Sequence, residues 1–267
     1  MLVTSVLEAT TKGKDVFRSI RNEIGKLKLP VIITTVLLSI AAVFLSCTLY
    51  KNYSMNYDIE AWEVGTEIID FLFPLFVVTP ICWGLYYERR NSFLTYTLPR
   101  ISKARYLTAK WLASAISAFV IVFVPYFLSA VVVLYVKPPI EPWRYPFDRF
   151  LLDVYVNMPQ MYALLLSLWK SMIGVLVMSL GFILALYVKN LFVILTGPFI
   201  YTILENFTLA IMQVPQYRLI SSFVPTSVST NVISFFSLSV GPMLLIAIIM
   251  LLWLFFAKVK RESVYQT

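Results

Sequence analysis

An all-α, polytopic membrane protein is the fold class this sequence predicts, and three observations predict it. Hydrophobic residues make up 60% of the 267-residue chain, against roughly 45–50% in soluble domains. Charged residues make up 13%, about half the ~25% of a soluble domain. The apolar residues gather in six runs, each long enough to cross ~30 Å of hydrocarbon at ~1.5 Å per helical residue. A soluble core could not absorb this excess, because a domain of this size still needs a polar skin.

The six expected spans are 30–50, 64–87, 106–136, 161–188, 191–214 and 234–257. The third and fourth exceed the ~20 residues that a crossing needs, so they are expected to tilt or to project from the bilayer. Pro125 invites a kink in the third, and Gly241-Pro242 interrupts the last. Residues 1–29 are polar and basic with no apolar core, so a cleaved secretory leader is not expected and the first span stays in place. The domain plan is thus a cytosolic segment 1–29, one transmembrane domain 30–257 and a cytosolic tail 258–267.

Orientation follows from Lys and Arg. The N-terminal segment, the second-to-third and fourth-to-fifth connections and the C-terminus carry fifteen of them, against five on the opposite side. The positive-inside rule then places both termini in the cytosol, and the even span count agrees. The expected location is the cell (plasma) membrane.

Composition also excludes chemistry. The chain has no histidine, which removes Ser-His and Cys-His catalysis and imidazole metal sites. Its two cysteines, Cys47 and Cys82, sit in apolar runs and are too few for a zinc cluster. No Gly-x-x-x-x-Gly-Lys-Ser/Thr phosphate loop occurs in the sequence. Any ATP used must therefore be bound by another subunit. No cofactor or metal is expected on this chain, and it is not expected to be an enzyme.

Before the first span, Val16, Ile20, Ile24 and Leu27 recur at helical spacing with Phe17 beside them, while Lys14, Arg18, Arg21 and Lys28 take much of the remaining surface. That pattern predicts a basic amphipathic helix suited to the inner interface, as a lipid anchor or a partner contact. The connection between spans two and three is far longer than turning two helices requires. It mixes apolar Phe93, Leu94 and Leu98 with charges such as Arg100; Pro99 stops one helical piece and Ser102 can cap the next. A short helix lying across the span ends is a natural docking element for a cytosolic partner, and an inert basic loop is the bland alternative.

On the outer side, 137–160 carries five prolines with Trp143, Tyr145 and Phe147, and reads as a partly ordered cap. Residues 215–233 are too hydrophobic for a plain loop, with Leu219, Ile220, Phe223 and Val224 before Pro225. A broken helical hairpin re-entering the outer leaflet is expected there, covered by protein or water.

The residues Glu88, Leu94, Leu98, Pro99, Ser102, Lys103, Tyr106 and Lys110 follow an order that resembles the membrane subunit of type-2 ATP-binding-cassette (ABC) exporters. In that order an acidic residue leaves the second span, a Leu-rich helix follows, and Pro, Ser, a basic residue, Tyr and Lys lead into the third. The wider layout is similar too: N-terminal helix, six spans, a tight inner turn at Lys189-Asn190 and an outer hairpin. Two departures stand out. Asn91-Ser92-Phe93 replaces the family's frequent Gly-Thr, and an extra residue separates Pro99 from Ser102.

The resemblance implies a permease subunit. Residues 88–106 would be the coupling element that rests in a groove of a cytosolic ATPase carrying ATP and Mg. Within it, Glu88, Phe93, Leu94, Leu98, Pro99, Arg100, Ser102, Lys103 and Tyr106 are the ATPase-coupling candidates. Residues 16–29 would be an elbow helix. The substrate path would run between two permease copies, identical or sister, lined by the second and fifth spans. Export is the implied direction.

Charges inside the membrane are the remaining signal. Glu67 and Asp70 lie near the outer end of the second span, Glu205 in the outer half of the fifth, and Lys170 about 13 Å into the fourth. Burying them is costly, so they line a path or pair, Lys170 with Glu205 or Asp70. Ion coupling through the same four residues is the chemistry of the main rival, a secondary transporter or channel without an ATPase. No inverted repeat supports that rival.

Overall fold

In the computed structural model the described residues are 2–91, 103–143, 149–229 and 232–259, with side chains from Arg18 onward except at 103, 257 and 259. Among them the chain is all-helical, with no strand. Helix α1 spans Leu2–Thr48, α2 Glu60–Arg90 and α3 Lys103–Tyr135. The short α4 spans Leu152–Asn157, then come α5 Pro159–Tyr187 and α6 Leu191–Ile211. The short α7 spans Leu219–Phe223 and α8 Phe235–Val259. Six of these, all but α4 and α7, are long and apolar enough to cross a membrane, so the chain has the character of a multi-pass membrane protein.

The six apolar stretches are Arg18–Asn52, Glu60–Arg90, Ala104–Tyr135, Pro159–Tyr187, Leu191–Ile211 and Phe235–Phe256. Only the first departs much from expectation. Helix α1 runs unbroken through Pro30, so no break separates an interfacial helix from a span. Proline fixes φ at a helical value and removes one hydrogen bond, and the packing of α1 against α3 and α2 carries the helix across that defect. The expected 29/30 boundary therefore lies inside a helix. Val16 and Phe17 lie outside the residues with described side chains.

Ring and side-chain contacts identify the two ends of the bundle. At one, here the near end, Arg89 of α2 reaches the last carbonyls of α5, and Tyr187 stacks on Phe256 of α8 at 4.8 Å. At the far end, Trp143 donates its backbone N–H to the Met55 carbonyl at 3.1 Å, and Phe150 packs on Phe235 at 5.1 Å. Helix α5 sits centrally, with 67% of the residues in its most apolar stretch buried, against 17% for α6 and 22% for α8. Val77, Val78, Ile81 and Cys82 of α2 and Ile173, Val177 and Met178 of α5 belong to one buried core.

Two glycines mark close approaches. A Cβ at Gly65 would lie 2.2 Å from the Ser46 backbone, so α1 and α2 cross there almost in backbone contact. A Cβ at Gly241 would lie 2.8 Å from the Cα of Leu219, so α8 lies directly against α7. Residues 215–229 form a 3₁₀ turn at Pro215–Tyr217, then α7, then a second 3₁₀ turn at Pro225–Ser227. Leu219, Ser222 and Phe223 are fully buried. Residues 215–227 are therefore a helical segment broken at Arg218 and Val224. Both cysteines are free.

Candidate functional site

Two charged clusters stand out, one at each end of the helices. The near-end cluster grows from residues that leave or enter helices. Glu23 lies on the face of α1 that carries Ile20, Ile24 and Leu27 toward the bundle, which buries its carboxylate. The last turns of α2 supply Glu88, and the first turns of α3 supply Tyr106 and Lys110. Lys110 Nζ pairs with Glu88 in a short contact and with Glu23 at 3.2 Å. Lys26 pairs with Glu23 at 2.6 Å and with Glu88 at 3.3 Å. The Tyr106 hydroxyl donates to Glu88 at 3.3 Å. Four charges and a phenol thus tie α1, α2 and α3 at the root of the connection between α2 and α3.

Arg89, next to Glu88, faces the other way. Its guanidinium donates to the Ala185 carbonyl at 2.8 Å and to the Val188 carbonyl. These are among the last carbonyls of α5, which lack helical donors and carry the negative end of its dipole. The next turn is held by Asn190, whose side chain accepts the Phe192 N–H at 2.9 Å and caps α6.

Of the coupling candidates, Glu88 and Tyr106 fall within the residues with described side chains, and Lys103 is described by its backbone alone. Phe93, Leu94, Leu98, Pro99, Arg100 and Ser102 lie outside the described residues. Glu88 and Tyr106 are brought together.

The second cluster is sealed inside the far half. Lys170 of α5 pairs with Asp70 of α2 at 2.8 Å, and the Tyr126 hydroxyl of α3 donates to the same Asp70 oxygen. The ammonium sits over the rings of Tyr126, Phe223 and Trp62, at 4.4, 4.9 and 5.7 Å from their centroids. Phe223 also stacks on Phe73 at 3.9 Å. Each partner's side chain keeps only 3% of its exposure. At that depth a charge survives only if paired and hydrogen-bonded, and the aromatic faces add attraction for the cation.

The other two intramembrane candidates part from this pair. Glu67, three residues before Asp70, is exposed on α2. Glu205 takes no part in pairing Lys170. Its carboxylate accepts the Leu219 N–H at 2.9 and 3.1 Å, capping α7. Arg218 beside it donates to Asn206 at 3.1 Å and to the Pro215 carbonyl at 2.8 Å. Glu205 and Arg218 therefore dock the 215–229 segment on α6.

A rim of polar pairs closes the far end. Lys137 meets Asp58 at 2.9 Å and lies over the Tyr50 ring at 4.5 Å. Arg149 meets Glu63 at 3.4 Å, and Tyr162 donates to Glu63 at 3.4 Å. Glu60 accepts the backbone N–H groups of Asn56 and Tyr57, both at 2.9 Å. Burial, with the nearby Glu63 carboxylate, pushes the Tyr155 phenol well above its ordinary range.

Sequence reasoning missed Glu23, Arg89 and Lys26 as structural ties. Glu23 had a signal: it sits three residues after Ile20 and four before Leu27, on the apolar stripe itself. Arg89 had none, since its partners are backbone carbonyls about a hundred residues away. Comparison with protein-family models, with curated proteins and with solved structures finds no match for this chain.

Proposed function

We propose that this chain is the permease subunit of a type-2 ABC exporter, working in the plasma membrane with both termini in the cytosol. Two copies, or one copy and a sister permease, would form the path, and separate cytosolic ATPase subunits would bind ATP and Mg. The near-end cluster carries this reading. A load on the 91–103 connection reaches Glu88 and Tyr106 directly, and through Lys110, Glu23 and Lys26 it reaches three helices at once. The order of residues from Glu88 to Lys110, and the six apolar helices around it, support the same reading.

In this mechanism, closure of the ATPases pushes on 88–106, with Phe93, Leu94, Leu98 and Arg100 as the contact surface. The bundle then moves between two packed arrangements and releases substrate outward. Residues 16–29 of α1 serve as the elbow, and 215–233 re-enters the outer leaflet. The sparsely buried α6 leaves a face for the second permease.

A second reading draws on one observation, the sealed Asp70–Lys170 pair, which suits an ion-coupled transporter. A mild-detergent pull-down of the tagged chain from its native membrane separates the two. The permease reading expects a stoichiometric soluble partner with a phosphate-loop motif and vanadate-sensitive ATP hydrolysis. A clean chain without such a partner, under conditions that preserve known ABC complexes, transfers the weight to ion coupling.

A further inference from the structure

Two adjoining cavities lie at the far end, where residues 149–151, the first turns of α5, residues 225–229 and the start of α8 meet. One, about 350 Å³, is lined by Arg149, Thr226, Ser227 and Ser229. The other, about 220 Å³, is lined by Leu151, Leu165, Trp169, Phe235 and Leu238. Phe150, Tyr162 and Pro225 border both, so the two are lobes of one pocket with a shared wall. Together they reach the ~300–1,000 Å³ of ordinary small-molecule sites.

The backbone is bent to make this wall. Leu151 holds φ 59° and ψ 41°, a left-handed conformation that a leucine seldom adopts. With that turn, three consecutive residues, Arg149, Phe150 and Leu151, all face the pocket. Neither a helix nor a strand points three successive side chains one way. Strain of this kind gathers at ligand-holding segments.

Each lobe limits what it can hold. In the polar lobe charge is already balanced: Arg149 pairs with Glu63 at 3.4 Å, and the Tyr162 hydroxyl turns to the same carboxylate. An ion entering there would have to compete with that pair. What the lobe offers is hydroxyls. Among the described residues, the side chains of Thr226, Ser227 and Ser229 make no hydrogen bond within the chain, and each can both donate and accept. The second lobe has no charged lining residue. Trp169 spends its indole N–H on the Ser222 carbonyl at 2.9 Å, so it presents only its ring. Phe150 and Phe235 meet edge to face beside it. The openings differ in the same sense. Ser227 and Ser229 are exposed at the polar lobe, and Leu165 and Phe235 are exposed at the apolar one, on the flank of two membrane-length helices.

We infer that this pocket binds an uncharged amphiphile with a hydroxyl-bearing head and one apolar arm. The arm lies against Trp169, and the head lies among Thr226, Ser227 and Ser229. Monoacylglycerols and alkyl glycosides have this chemistry. The inference stands apart from the transport reading and does not need it.

The test uses the full chain in phosphatidylcholine nanodiscs with trace photoreactive probes. All probes share one diazirine-bearing alkyl chain and end in a glycerol ester, a phosphate, a trimethylammonium or a plain methyl group. Cross-linked peptides are located by mass spectrometry. The glycerol probe should label the stretches around 150–169 and 225–238 about tenfold more than each of the other three, as two or so added hydrogen bonds allow. Leu165→Trp, at an exposed position, fills the apolar lobe and should abolish that labelling at an unchanged melting temperature. Ser227→Trp blocks the polar lobe and serves should the first variant fail to fold. Thr226→Val/Ser227→Ala/Ser229→Ala should level the four probes while the chain still labels the apolar lobe. Equal labelling by all four probes in the unmodified chain overturns the inference, as does a preference for either charged head. Labelling spread evenly over the membrane-length helices, or unchanged by both tryptophan variants, overturns it too. So does an absence of label at the pocket, as when residues 144–148 fill it.

Discussion

The two charged clusters use the same chemistry, lysine with carboxylate, and differ in what surrounds it. At the near end, Lys26 and Glu88 keep 42% and 22% of their side-chain exposure, Glu23 and Lys110 are buried, and each charge has more than one partner. In the far half, Asp70 and Lys170 keep 3% each and are enclosed by Tyr126, Trp62 and Phe223. In such a redundant network the two members open to water, Lys26 and Glu88, can exchange partners at low cost, because water stabilises a charge while it moves. A sealed pair has no such substitute, so breaking it strands a charge in a dry core. Rearranging the near-end pairs should therefore cost less than breaking the pair in the far half. The proposed coupling element adjoins the end of the first kind.

The sharpest way to test that contrast is to strand the sealed charges. Lys170→Met leaves Asp70 unpaired and should cost about 3–5 kcal/mol, read as a lowered midpoint in thermal unfolding. Asp70→Asn with Lys170→Met should restore much of that loss, since a buried pair replaced as a unit is often near neutral. If the double variant is as unstable as the single, packing at these positions and not charge is what matters.

A smaller effect comes from lifting the cover. Gly241→Ala would drive a Cβ into the Leu219 backbone and shift α7, and with it Phe223, away from Lys170. The expected cost is about 1–3 kcal/mol, with faster labelling of a Phe223→Cys reporter by a water-soluble thiol reagent. Glu205→Gln removes the charged cap on Leu219 and should cost about 1 kcal/mol, visible as faster trypsin cleavage at Arg218. The smallest change is expected from Lys26→Gln, under about 1 kcal/mol, because its partners keep Lys110. That difference should fade between low and high salt, and the Lys170→Met difference should not.

Much of this fold was legible in the sequence, because hydrocarbon imposes one rule on every span: apolar side chains over some twenty residues. The five spans after the first fall within a few residues of where apolar runs place them. At Pro30, where proline is a strong stop signal in a sequence, α1 continues unbroken because packing overrides it. The Asp70–Lys170 pair was legible as one of two options, because lone charges in a span must find partners. The role of Glu205 was not, because its partner is the backbone N–H of Leu219, which no residue identity announces. Glu67 and Asp70 share a spacing, yet one is exposed and the other sealed, a distinction set by where α5 lies.

In the proposed mechanism, force enters through 88–106. This is tested most directly by ATP-driven transport in the purified complex, comparing the unmodified chain with Leu94→Ala/Leu98→Ala/Arg100→Ala. The account predicts that the variant still folds and still binds its ATPase partner or loses it selectively, while ATP-coupled transport is abolished. Transport unchanged in the triple variant, with the ATPase bound and hydrolysing, would contradict it.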